Sequence, residues 1–269
     1  MTIRAIIDIL TQWAPLCYAE DFDNVGLLTG SANQPCKGVL ITLDTLEPVV
    51  DEAIASGCNL IVSFHPILFK GLKKITGDDY VQRTILKAIK HDIAIFAIHT
   101  ALDNHQNGVN AAIAERLQLQ STKILVPKKG TIKKLVTYVP KENEKKVLEA
   151  LYEAGAGALG NYDQCSFVTE GFGSFRGNEK SNPSLGQQME KTIVEEKQIQ
   201  VIFLAHQEKQ ILNSLRSAHP YETVAYEIIS TDNENPDIGM GKVGTLKKPM
   251  SGQEFLSFVK KQIQTPMIR

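Results

Sequence analysis

At 269 residues and 43% hydrophobic, the chain has the make-up of an ordinary soluble globular protein with one or two domains. Its 29 Lys and Arg against 30 Asp and Glu leave a net charge of -1, so no basic field exists to hold a nucleic-acid polymer. No run approaches the ~20 apolar residues of a membrane span, and the helical, acid-containing start is unlike a signal peptide.

Ile3, Ile6, Ile7, Leu10 and Trp13 recur at helical spacing and stop before Pro15, which predicts an opening amphipathic helix. Asp23 and Asn24 then form a polar loop before an apolar turn. Val39 to Leu43 reads as a strand, followed by Asp44, a helix through Val49 to Ile54, and Gly57 as its stop. The run Asn59-Leu60-Ile61-Val62-Ser63-Phe64-His65-Pro66 completes a βαβ unit. A second helix over 79–89 leads into Ile93-Ala94-Ile95-Phe96-Ala97-Ile98-His99, and Gly108-Val109-Asn110 opens a third helix.

Short uninterrupted Ile- and Val-rich runs between helices predict buried strands of a parallel sheet, with ligands at their carboxyl ends. His65, His99 and Asp103 are expected to converge there. His99 and Asp103, four apart across a strand-to-loop turn, present an imidazole and a carboxylate to one point, the usual donors for zinc, iron or manganese.

The pattern changes after Leu125. Lys128-Lys129-Gly130 is a turn-prone link. Beyond it the reading is strand 132–139, helix 142–154, an extended hairpin region through 165–175, strand 198–205, helix 208–218 and strand 222–229. That β-α-β-β-α-β order predicts a ferredoxin-like α+β sandwich ending at the turn-rich stretch 232–237. A short strand from Gly239 to Gly244 and a helix over 253–259 follow. His219-Pro220-Tyr221-Glu222 reads equally as a ligand pair or as a packed corner.

Two G-x-G-x-x-G stretches, 155–160 and 239–244, lack the strand before and helix after that place phosphate at a helix N-terminus. Cys17, Cys36, Cys58 and Cys165 are widely separated, which predicts neither a thiolate zinc site nor a disulfide framework and suits a reducing cytoplasm.

Jointly, Asp23-Asn24-Val25-Gly26-Leu27, Ser63-Phe64-His65-Pro66 with Lys70-Gly71-Leu72, His99-Thr100-Ala101-Leu102-Asp103 and Gly108-Val109-Asn110 resemble the Nif-three-like, dinuclear-metal-centre hexameric proteins, the type-2 GTP cyclohydrolase I homologues. The second domain, through Gly155-Ala156-Gly157, Gly160 to Asp163, Cys165 to Phe167 and His219 to Glu222, is similar to the PII- or CutA-like insert of the longer members.

The resemblance implies a partly parallel, three-layer α/β metal-site domain over 1–127, an insert over 128–237, and a return segment over 238–269. It also implies a divalent metal pair, a homo-oligomer of three or six chains, and metal-dependent hydrolysis of a small substrate such as a purine nucleotide. Of its ligand set, His65 and Asp103 match, and the first expected histidine falls on Phe64, which cannot ligate a metal. His99, Asp23 and Asn24 are expected around the pocket. The family pattern continues into a further α/β half with a last histidine and glutamate, whereas this sequence stops at Arg269. Two other readings are therefore carried: a non-catalytic assembly or regulatory protein with a degenerate site, and a product truncated from a longer gene.

Overall fold

A computed structural model describes residues 1–268; Arg269, the last position of the return segment, lies outside the described residues. The chain divides into two compact units, Met1–Pro127 with Pro236–Arg269, and Lys128–Asn235.

In the first unit, α1 (Ile3–Trp13) starts at Thr2, whose hydroxyl accepts the Ala5 N–H, and ends at Ala14 just before Pro15. Strands β1 (Gly26–Thr29), β2 (Val39–Thr42), β3 (Leu60–Ser63) and β4 (Ala94–Ala97) form one sheet in the order β1-β4-β3-β2. β2, β3 and β4 are parallel, and β1 is antiparallel to β4. Helices α2 (Glu47–Ala55) and α3 (Tyr80–Lys90) make the crossovers.

Side-chain alternation explains the layers. Leu60, Val62, Ala94 and Phe96 point to α1, where Ile3, Ile7 and Ala14 close one core. Ile61, Ile93 and Ile95 point to the opposite face and pack on Val50 and Ala53 of α2 and Ile85 and Ala88 of α3. β3 and β4 are buried on both faces, which is why they read as continuous apolar runs.

β1 was not predictable as a strand from its own four residues. Its place is fixed by close approach: a Cβ on Gly30, at φ +88°, would lie 2.6 Å from the Ala94 Cα. After β4 come α4 (His99–Asp103), α5 (Val109–Arg116) and β5 (Gln120–Pro127), a second strand that its polar first half conceals. Its partner arrives from the far end of the sequence.

The second unit contains β6 (Ile132–Pro140), α6 (Glu144–Glu153), β7 (Ser166–Arg176), β8 (Lys191–Leu204), α7 (Glu208–Ala218) and β9 (Tyr226–Ser230). The antiparallel order β7-β8-β6-β9 is the ferredoxin-like arrangement expected. Leu135, Val139, Ile199, Val201 and Phe203 face Val147 and Leu151 of α6 and Ile211 and Leu215 of α7. Two expected boundaries are corrected. β8 starts at Lys191 instead of 198, because residues before Glu196 pair only with β7 in a ribbon that outruns β6. β9 starts at Tyr226 instead of 222, because 219–223 is spent on a corner.

The first unit closes with β10 (Gly239–Thr245), antiparallel to β5, and α8 (Gly252–Ile263). Ser251 and Glu254 cap α8 reciprocally, each side chain bonding the other's backbone N–H.

Candidate metal centre

The site follows from strand register. Thr42 of β2 pairs with Ser63 of β3, and Ser63 pairs with Ala97 of β4. Two residues further, the same alignment brings Asp44, His65 and His99 side by side. The backbone ladder carries on past the strands to hold them there: His65 N donates to Leu43 O at 2.9 Å and His99 N to Phe64 O at 3.0 Å. β1 runs the other way from the Gly26–Ala97 pair, which sets Asp23 opposite Thr100.

Each imidazole is anchored by a carboxylate. His65 Nδ1 donates to Asp44 Oδ1 at 2.7 Å, and His99 Nδ1 donates to Asp23 Oδ1 at 2.9 Å. A carboxylate accepts only, so the proton sits on Nδ1 and Nε2 is left as the basic nitrogen of each ring. This is the orientation a metal-ligating histidine needs, with an outer carboxylate fixing the tautomer. The two rings stand nearly perpendicular, 5.4 Å apart between centroids.

Asp23 is the more deeply set anchor, with a fully buried side chain. Burial pushes its carboxyl up, but bonds from His99, the Thr100 hydroxyl and the backbone N–H groups of Thr100 and Asn24 outweigh it and hold the group below its ordinary range. The Thr100 hydroxyl donates to Asp23 and accepts from Glu20 N at 2.9 Å. Asn24 reaches across to the Leu68 carbonyl, tying the Asp23 loop to the segment after His65.

Asp103 lies four residues after His99 on the single turn of α4, where that spacing sets both on one face. Burial is the main cause that raises its carboxyl, opposed by His99 and His65 and helped by the charge of Asp23. Asp103 therefore feels both imidazoles and lacks a full counter-charge. His99 adopts φ +27°, an uncommon conformation for a non-glycine residue, as the chain turns from β4 into α4.

Phe64, where the resemblance leads one to expect a histidine, walls the site, its ring 5.0 Å from that of His65 and 5.4 Å from that of His99. Asp44 and Thr100 took no part in the sequence-derived set. Asp44 was findable, because a parallel register that ends three adjacent strands together carries their following residues together too. His219 resolves as a packed corner: its Nε2 donates to Tyr138 O at 2.9 Å and its Nδ1 accepts from Tyr221 N at 3.1 Å, using both nitrogens.

Imidazole nitrogens with a carboxylate fit the donor chemistry of a divalent zinc, iron or manganese ion. The enclosing geometry is incomplete: among the described residues, no group of three or more His, Cys, Asp or Glu side chains is placed to hold an ion.

The Duf34/NIF3 profile, described as NGG1p interacting factor 3, matches residues 1–269. The chain belongs to the Duf34/NIF3 family. A Bacillus subtilis (strain 168) relative named GTP cyclohydrolase 1 type 2 homolog is 42% identical over 267 residues, covering 99% of this chain and 72% of that protein. A Halalkalibacterium halodurans protein of the same name is 39% identical over the same share of each. Among solved structures, a Bacillus cereus protein related to NIF3 matches with a TM-score of 0.81 and 38% identity, over 100% of this chain and 72% of that one. As in any Duf34/NIF3 protein, membership fixes the fold and leaves the chemistry to be argued from the site. Among the described residues, no helix is long and apolar enough to cross a membrane.

Proposed function

We propose that the strand-end cluster is part of a divalent-metal site of a hydrolase-like protein, to which this chain supplies His65 and Asp103 as ligands with His99 beside them. The observation that carries this reading is the matched pair of carboxylate-anchored imidazoles, His65 on Asp44 and His99 on Asp23, beside an acid short of positive charge. A purely structural histidine has no need of a neighbour arranged the same way. A bound divalent ion supplies Lewis acidity and lowers the pKa of water towards neutrality.

The chain's own residues orient and shield. Asp44 and Asp23 hold the rings, the Thr100 hydroxyl locks Asp23, and Phe64 and Phe69 flank the His99 ring, Phe69 lying 6.5 Å from it. The name of the Bacillus subtilis relative points to a purine nucleotide as the substrate class. Cys36, Cys58 and Cys165, which form no disulfide, agree with residence in a reducing cytoplasm.

Asp103→Asn tests the site. Protein purified from metal-supplemented cells is expected to lose bound zinc, iron or manganese on this substitution, read by elemental analysis. In metal-free buffer the same variant is expected to melt higher than the parent near pH 7. The sign follows from the raised carboxyl: the folded chain takes up a proton more readily than the unfolded one, so its ionised form is a liability above the ordinary value of 3.8. That difference should shrink as pH falls and Asp103 protonates. Unchanged metal content would end the metal reading.

A second reading, a non-catalytic assembly protein acting as a trimer or hexamer, is favoured by the incomplete ligand cluster. Full metal occupancy with nucleotide turnover would exclude it.

A further inference from the structure

The second unit's sheet is covered by helices on one face only, and the other face is built for something. Directly opposed residues on that open face are Tyr138, Gln198 and Thr169 in one row, Glu196 with Gly171 in the next, then Val194 with Gly173. Two glycines in alternate positions of β7 bare the backbone there. The result is a cavity of about 930 Å³, lined among others by Tyr138, Thr169, Gly173, Phe175, Glu196 and Tyr221.

Glu196 occupies the bared ground. A Cβ on Gly173 would stand 1.9 Å from Glu196 Oε2, so the carboxylate lies where any other residue would put a side chain. Its Oε1 accepts the Tyr221 hydroxyl at 2.7 Å. Tyr221 is itself held by the His219 corner, with ring centroids 5.0 Å apart, and sits 6.1 Å from Phe175. Burial, then the Glu196 carboxylate, pushes the Tyr221 hydroxyl well above its ordinary range, so it stays a donor.

Among the described residues, Glu196 forms no salt bridge; its neighbour Lys197 points to the other face and pairs with Glu170 and Glu144. Arg176 and Lys180 also line the cavity, but neither pairs with Glu196; Arg176 lies three residues along β7 from Gly173, where the carboxylate sits, about 10 Å at strand rise, with its Nε on the Met189 carbonyl.

We propose that this cavity binds a small organic cation, an amine or amidine on a flat apolar body, with Glu196 as its counter-charge and Tyr138, Phe175 and Tyr221 as its aromatic walls. A half-buried carboxylate without a cationic partner recognises an N–H-rich cation by charge-assisted hydrogen bonds, and ring faces add cation–π attraction. Tyr221 is a positioning residue, aiming the carboxylate from the side and leaving Oε2 to the ligand. The site stands apart from the strand-end cluster in sequence and in chemistry.

Titration calorimetry of the whole chain with benzamidine, against benzyl alcohol as the neutral analogue, tests this. Benzamidine is expected to bind saturably and benzyl alcohol at least about tenfold more weakly. Glu196→Gln and Gly173→Ala should each weaken benzamidine by about tenfold or more, the first by removing charge and the second by displacing the carboxylate with the charge kept. Gly173→Ala is compatible with strand backbone, since only a flexible carboxylate must move. Equal binding of the two probes, unchanged binding by Glu196→Gln, absence of saturable benzamidine binding, or a self-association that closes the cavity to the probe would each overturn the proposal.

Discussion

His99 carries two burdens at once, an anchored imidazole and a backbone at φ +27°. Strained backbone of this kind costs about 1–3 kcal/mol and persists where the surroundings over-determine it. Replacing His99 by alanine removes the ring and leaves the strain, whereas glycine removes both. His99→Gly is therefore expected to be more stable than His99→Ala by about 1 kcal/mol in urea unfolding, the reverse of the usual ordering of these residues. Equal stabilities would show that the turn is relaxed. The same residue shows what one position reveals by itself: a histidine at a strand end is visible in sequence, but its tautomer is set by Asp23, 76 positions away.

At the scale of elements, α4 is a five-residue helix that no propensity argument would sustain, since isolated helices of that length are marginal in water. Its neighbours hold it. Asn104 Nδ2 donates to Tyr18 O at 2.7 Å and to Glu20 Oε1 at 2.5 Å, and Asn110 Nδ2 donates to Asp103 O at 3.0 Å. Gly108 lets α5 start against α4, because a Cβ there would fall 1.8 Å from the Leu102 carbonyl oxygen. Backbone oxygen cannot retreat as a side-chain tip can. Gly108→Ala is expected to cost about 2 kcal/mol or more and to reduce metal uptake by shifting Asp103, with urea unfolding and elemental analysis as the two measurements. A neutral substitution would mean that the α4–α5 junction opens freely.

At the scale of the whole molecule, the strands of the first unit's four-stranded sheet differ in how their apolar surface is covered. β3 and β4 are enclosed, but β2 is an edge of its sheet, with Ile41 82% exposed and Leu43, just past its end, 60% exposed. An edge strand with outward apolar residues is a template for association. Light scattering is expected to show concentration-dependent growth in mass that Ile41→Lys suppresses. The exposed side chain takes no part in either core, so melting should stay within about 1 °C of the parent. Unchanged mass in the variant would assign association to another surface.

The apolar runs ending at His65 and His99 determined the parallel strands by themselves, because burial on both faces demands continuous Ile, Val, Leu and Phe. The β-α-β-β-α-β order of the second unit was likewise legible, since its helices keep one apolar face and its strands alternate. The short β1 and the half-polar β5 were not, because each owes its strand state to a partner distant in sequence, Ala97 for Gly26 and Gly239 for Pro127. Of the site, the sequence supplied the imidazoles and Asp103. Only the tertiary structure decided which carboxylates hold them, since the approach of Asp44 to His65 and of Asp23 to His99 is a consequence of register between strands, and register is fixed by packing of whole sheet faces.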